Sequence, residues 1–140
     1  MALPTRIALE IVTPDRALVR EEVDELQLPG ADGYLGVLPG HTPLLATLKV
    51  GELWYRTGPE THHLAVAGGF VEVLPDRVTV LAQIAERAQD IDVARAEAAR
   101  RRAEERLARP AQELDFERAR VAMMKSLIRL QVATRARTRV

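Results

Sequence analysis

Gly33-Tyr34-Leu35-Gly36-Val37-Leu38-Pro39-Gly40-His41-Thr42-Pro43-Leu44-Leu45 decides how the chain is read. Two apolar runs, Tyr34–Leu38 and Leu44–Leu48, flank a rigid corner. Pro39 and Pro43 each fix φ near −65° and remove a backbone donor. Gly33, Gly36 and Gly40 allow backbone angles that a β-carbon forbids. No helix runs through that spacing. The stretch predicts two short strands joined by a shaped loop with His41 at its tip, a loop built to present itself to a partner.

The same punctuation continues on both sides, over residues 6–82. Ile7, Leu9 and Ile11 alternate with Ala8, Glu10 and Val12, and a second run, Val23–Leu28, ends at Pro29-Gly30. Gly51–Arg56 is closed by Thr57-Gly58-Pro59-Glu60; His62–Ala67, Phe70–Leu74 and Val78–Ala82 follow. Many short strands at close spacing predict a sandwich or barrel. Its expected core is Leu35, Val37, Leu44, Leu48, Leu53, Leu64, Val66, Val71, Val73, Val78 and Val80. A body of about 86 residues buries roughly 60–65% of its unfolded surface, enough to fold by itself.

At Asp90 the composition changes to alanine and arginine. Asp90 or Asp92 caps a helix start, and Val93, Ala96, Ala99, Ala103 and Leu107 form one stripe at spacings of three or four. Arg109-Pro110 stops that helix. Asp115 caps a second, whose stripe is Phe116, Ala119, Met123, Leu127 and Leu130. The link Pro110–Leu114 predicts an antiparallel helical hairpin; a single long helix or a disordered tail is the alternative. The fold class is therefore a mainly β sandwich, residues 1–86, followed by an α-helical hairpin, residues 87–140. The first helix offers mostly alanine methyls, each contributing about 0.8 kcal/mol against roughly 1.5–3 for a leucine or phenylalanine. A hairpin with so thin a seam changes place at modest cost.

Lys plus Arg number 20 and Asp plus Glu number 20, but the balance hides an asymmetry. Residues 1–86 carry 6 basic and 12 acidic side chains, and residues 87–140 carry 14 basic and 8 acidic ones. The basic tail suits an acidic partner, whether protein, nucleic acid or nucleotide, or else the two ends attract each other or its arginines are a solvated helix surface. There is no cysteine, which excludes disulfides, thiolate metal sites and a cysteine nucleophile. Met1–Arg6 lacks the apolar core of a signal peptide, and no apolar run approaches the roughly 20 residues of a membrane span. Membrane association is expected through a partner, with no direct insertion.

No glycine-rich run ends in Gly-Lys-Ser or Gly-Lys-Thr, so a phosphate-binding loop is missing. His62 and His63 point to opposite faces of a strand and do not share a metal. His41 has no serine or carboxylate beside it in sequence and reads as a contact or packing residue. Asp92 and Arg95 lie on one helix face, and Lys125 and Arg129 are four apart on the second helix. A closed hairpin brings Arg95, Lys125 and Arg129 together on a phosphate chain while Asp92 orders the helix start. The alternative is that Asp92 caps the helix and pairs with Arg95.

Gly36–Leu45, Leu64–Val73 and Arg77–Ala82, in that order and at those distances, resemble the epsilon subunit of bacterial F-type ATP synthase, and the resemblance extends into the helical tail. It implies a non-catalytic subunit of a proton-translocating ATP synthase, seated on the central stalk. Its implied partners are the gamma subunit, the c-ring and, with the hairpin extended, the beta subunits of the catalytic hexamer. The implied location is the cytoplasmic face of the bacterial inner membrane, as a peripheral part of the complex. His41 falls in the face that meets gamma, and the Ala31–Tyr34 loop, with Asp32, Gly33 and Tyr34, meets the c-ring; Tyr34 stands where some relatives have an acidic residue. Some relatives carry an Ile/Leu-Asp-x-x-Arg-Ala motif that binds ATP and holds the hairpin folded, and Ile91, Asp92, Arg95 and Ala96 match it, with Arg129 at a binding position. Lys125 replaces a second arginine and cannot grip phosphate bidentately. The resemblance thus implies no required cofactor, a weak regulatory ATP, and inhibition of hydrolysis through a basic face of Arg100, Arg101, Arg102 and Arg106. Two rival readings are a stand-alone ATP sensor and a hairpin that binds nucleic acid through Arg100–Arg102, Arg135, Arg137 and Arg139. The second lacks the aromatic residues that stack on bases.

Overall fold

The structure, a computed structural model, describes residues 3–109 and 113–137. The Pro110 stop, the link as far as Gln112, and Arg139 lie outside the described residues. The chain divides into two compact units, Met1–Arg87 and Ala88–Val140.

The first unit holds eight strands: β1 Ile7–Val12, β2 Ala17–Val23, β3 Glu25–Gly30, β4 Gly33–Val37, β5 Leu44–Thr47, β6 Gly51–Thr57, β7 Glu60–Val73 and β8 Arg77–Arg87. They form one hydrogen-bonded ladder in the order β2-β1-β8-β7-β6-β3-β4, with β5 added to β7. The ladder becomes a sandwich because β7 and β8 each serve two layers. Along one edge of β7, Glu60–Val66 pairs with β6 and Phe70–Val73 pairs with β5. The changeover falls at Gly68 and Gly69, with φ of +74° and +118°. A β-carbon on Gly69 would stand 2.0 Å from the Leu81 carbonyl oxygen, so only glycine fits there. β8 pairs with β7 from Val78 to Arg87, and along Arg77–Leu81 its other edge runs parallel to β1.

The core fills the space between the layers. Ile7, Leu9 and Ile11 of β1 meet Leu26 and Leu28 of β3, Leu53 of β6, and Val71, Val73, Val78 and Val80. Of the expected core, Leu44 departs: β5 is a short edge strand and its first residue is partly exposed. The Val23–Leu28 run is not one strand, because Asp24 breaks it into β2 and β3. β2 carries Arg20, Glu21 and Glu22 on a sheet edge, where charge is an ordinary guard against further pairing. β8 extends past Ala82 because the long β7 offers it a ladder as far as Leu64↔Arg87.

The second unit is a helical hairpin. It begins with a 3-10 turn, Ala88–Asp90, then α1 Val93–Ala108 and α2 Glu113–Arg137. The seam is narrower than the predicted stripes. Its small buried residues, Ala96 and Ala103 on α1 and Ala119, Ser126 and Ala133 on α2, are spaced by seven, and Val132 is buried beside the last of them. Phe116 and Leu127, expected in the seam, are exposed. Small side chains let two helices approach closely, so the face with alanine and serine is the one that packs. Ser126 tolerates full burial because its hydroxyl donates to the Met123 carbonyl at 2.9 Å.

Candidate functional site

The Leu38–Pro43 corner does not join two paired strands. β4 pairs with β3, β5 pairs with β7, and the corner crosses between them. It is pinned as it crosses. The Gly40 N–H donates to the Pro75 carbonyl at 2.7 Å, and the His41 N–H donates to the Leu38 carbonyl at 3.2 Å. His41 Nδ1 lies 2.7 Å from the Thr42 carbonyl oxygen and donates to it, so the ring braces the loop and is only partly exposed.

Beside the corner lies an apolar surface that the sequence reading left unassigned. Thr47 pairs with Phe70 and Phe70 pairs with Leu81, while Leu45 pairs with Glu72 two residues along. Val71, Val73, Val78 and Val80 point from these strands into the core, so Leu45, Phe70 and Leu81 share the outer face. They are 73%, 56% and 53% exposed. Leu38 is exposed at the adjoining corner. The signal was present in the sequence: at Phe70-Val71 and Val80-Leu81-Ala82 apolar residues occupy both phases of the alternation, as in a sheet covered on both faces.

The β3–β4 turn, Gly30-Ala31-Asp32-Gly33, is a two-residue hairpin with Gly33 at φ +132°. Asp32 is exposed, and the Ala31 N–H donates to the Thr47 carbonyl at 2.8 Å. Tyr34 is 56% exposed, yet its hydroxyl accepts from the Glu52 N–H at 3.3 Å. On the opposite side of the unit, Asp24 accepts from the Gly58 N–H at 2.6 Å and faces Arg6 and Arg56 at 3.4 and 3.5 Å. The Gly58 amide first, then the two guanidiniums, hold the Asp24 carboxyl below its ordinary range. His62 stacks on Tyr55 with ring centroids 4.8 Å apart, and burial, with Glu21 nearby, pushes the Tyr55 hydroxyl up to about 12. His63 points the other way, 3.7 Å from Glu52 Oε1. Among the described residues no group of acidic and histidine side chains is placed to hold a metal.

In the hairpin, Asp92 is the N-cap of α1 and accepts from the Arg95 N–H at 3.0 Å. Ile91 and Ala96 are buried and Arg95 is exposed. Among the described residues the Arg95 guanidinium forms no ion pair, so its predicted bond to Asp92 is a backbone cap and not a side-chain bridge. Lys125 and Arg129 lie one turn apart on α2, both half-buried. Arg100 bridges Glu97, 3.0 Å away, and Glu104 on its own helix. Arg101, Arg102 and Arg106 are exposed. Successive helical residues are turned by about 100°, so Arg102 and Arg106 share a face while Arg100 and Arg101 point elsewhere.

Comparison with known proteins covers nearly the whole chain. Residues 6–88 match the family described as ATP synthase, Delta/Epsilon chain, beta-sandwich domain, and residues 89–134 match its long alpha-helix domain. The ATP synthase epsilon chain of Syntrophobacter fumaroxidans is 52% identical over 128 residues, which is 91% of this chain and 96% of that one. The epsilon chain of Solibacter usitatus is 50% identical over 131 residues, 94% of this chain and 98% of that one. A chain in the mitochondrial ATP synthase of Euglena gracilis shares the fold with a TM-score of 0.84 at 22% identity, over 96% of this chain and 84% of that one.

Proposed function

The chain belongs to the delta/epsilon-chain family of ATP synthase, and from that premise we propose that it is the epsilon subunit of a bacterial enzyme, docked on gamma beside the c-ring. It is a non-catalytic subunit of the ATP synthase complex, and no described helix is long and apolar enough to cross a membrane. The observation that carries the docking is the outer face of Leu45, Phe70 and Leu81. Apolar residues clustered on a sheet whose other side is already core have no structural use in the unit itself; they mark an interface. The test is the double variant Phe70→Asp, Leu81→Asp in a reconstituted complex. Both side chains already face solvent, so the variant is expected to keep its fold and thermal midpoint. Affinity for gamma is expected to fall by about 30-fold or more, as when central interface anchors are lost. Wild-type affinity in this variant would remove the face from the interface.

On this reading the Asp32–Gly33–Tyr34 segment meets the c-ring, and His41 shapes the corner at the edge of the gamma contact. The unit sits at the cytoplasmic face of the inner membrane, held there by its partners. The hairpin acts as a brake on ATP hydrolysis when it extends towards the catalytic hexamer, with Arg100, Arg101, Arg102 and Arg106 meeting acidic beta-subunit surface. ATP, held by Asp92, Arg95, Lys125 and Arg129 with Ile91 and Ala96 supporting the helix start, favours the folded hairpin. The rival of a nucleic-acid hairpin is weakened by Glu97, Glu104 and Glu117, which pair with Arg100 and Arg120 along the helices. Recovery of the chain with gamma from native membranes separates the stalk reading from both rivals.

A further inference from the structure

The β3–β6 ladder runs from Glu25↔Arg56 to Gln27↔Trp54. Continued by two residues, it would set Pro29 opposite Glu52, and proline has no N–H to contribute. The Pro29 carbonyl is engaged elsewhere, accepting from the Lys49 N–H at 2.9 Å. The Glu52 N–H donates instead to the Tyr34 hydroxyl at 3.3 Å. Tyr34, on β4, is paired with Pro29, so its side chain reaches across β3 and its hydroxyl stands in for the acceptor that the Pro29 carbonyl, engaged by Lys49, does not offer. Gly51 makes room for it. A β-carbon there would lie 2.8 Å from the Tyr34 hydroxyl and 2.6 Å from Pro29 Cβ.

We infer that Tyr34 is a positioning residue: its hydroxyl latches β4 to β6 and so fixes the Ala31–Asp32 turn for the rotor partner. β4 is an edge strand, paired with β3 alone. A turn at the end of such a hairpin swings unless it is tied on both sides. The Ala31 bond to Thr47 ties one side, towards β5, and the Tyr34 bond ties the other, towards β6. A turn that transmits rotation to a ring must hold its place under load, and the latch supplies that stiffness without a charge at position 34. The identity of the partner rests on the stalk reading above; the latch does not.

Tyr34→Phe keeps the ring and removes the hydroxyl, so the fold is retained. In the full chain, amide hydrogen exchange at Glu52 is expected to speed up about fivefold, the worth of one net hydrogen bond, with the thermal midpoint little changed. In ATP synthase rebuilt with the variant, ATP hydrolysis is expected to persist while protons pumped per ATP hydrolysed fall. Unchanged exchange at Glu52 would overturn the latch. Faster exchange with unchanged pumping would overturn the positioning role. A wild-type chain that fails to assemble with gamma and the c-ring would overturn the stalk reading, and with it the positioning role, while exchange at Glu52 still decides the latch.

Discussion

Asp24, at the bend between β2 and β3, ties the β6–β7 turn through Gly58 and faces two arginines. Its carboxyl is held below the ordinary aspartate value, so the folded state binds a proton less readily than the unfolded chain. The sign follows from linkage: the contribution is complete above the unfolded value and is lost as pH falls through the lower folded value. Asp24→Asn is therefore expected to be less stable than wild type near pH 7, with the gap closing below about pH 4. Urea midpoints at the two pH values measure this. A gap that persists in acid would show that charge is not the cause, because asparagine can still accept the Gly58 bond. None of this was legible in the sequence, because Gly58 lies 34 residues from Asp24 and only the fold joins them. Tyr34 was half legible. The resemblance marked it as a contact residue, but its bond to Glu52 depends on a proline interrupting the neighbouring ladder. Phe70 and Leu81 were fully legible as residues on the wrong phase of two strands whose core positions were already assigned.

Among the elements, α1 was readable from Asp92 onward because a cap and a small-residue stripe are local signals. The seam on α2 was misread for a physical reason. Phe116 and Leu127 outrank alanine and serine in hydrophobicity, but close approach of two helices selects small residues, and the larger ones are left outside. That exposed face fits an element with a second resting place, and two predictions test the idea. Arg129→Ala is expected to weaken ATP binding by the subunit while leaving the cap intact, and Asp92→Ala to weaken it while also costing about 1 kcal/mol of helix stability. Calorimetry at about millimolar ATP decides; a wild type that binds none, or variants that bind equally well, would leave Asp92 as a cap alone. The brake is tested with Arg100, Arg101, Arg102 and Arg106 jointly changed to alanine. Single exposed ion pairs contribute only about 0–1 kcal/mol, so one change does little and four together act. Hydrolysis by the assembled enzyme is expected to rise, with Arg102 and Arg106 responsible for most of the effect. If deleting the hairpin activates and the quadruple variant does not, the brake is steric or apolar.

At the scale of the molecule, the division into body and hairpin was visible as a change of composition near Asp90. The layering of the body was not. Gly68-Gly69 reads as the end of one strand and the start of another, and only the fold shows a single 14-residue β7 bending at that pair. Arg87 is the last residue of β8; it pairs with Leu64, and its guanidinium donates to the Leu18 carbonyl. A chain ending at Arg87 therefore keeps every strand, and is expected to retain a β-type circular dichroism spectrum and to bind gamma. An unfolded spectrum would show that the body needs its tail. The parallel pairing of β1 with β8 has a further consequence, for biosynthesis. The register Ile11↔Val80 joins the first strand to the last. At about 5–20 residues per second of translation, β1 waits roughly 3–14 s for its partner to be made. Until then it has only β2 beside it, with an apolar face open to solvent. The nascent body is thus a client for any chaperone that shields exposed strands, and it closes late.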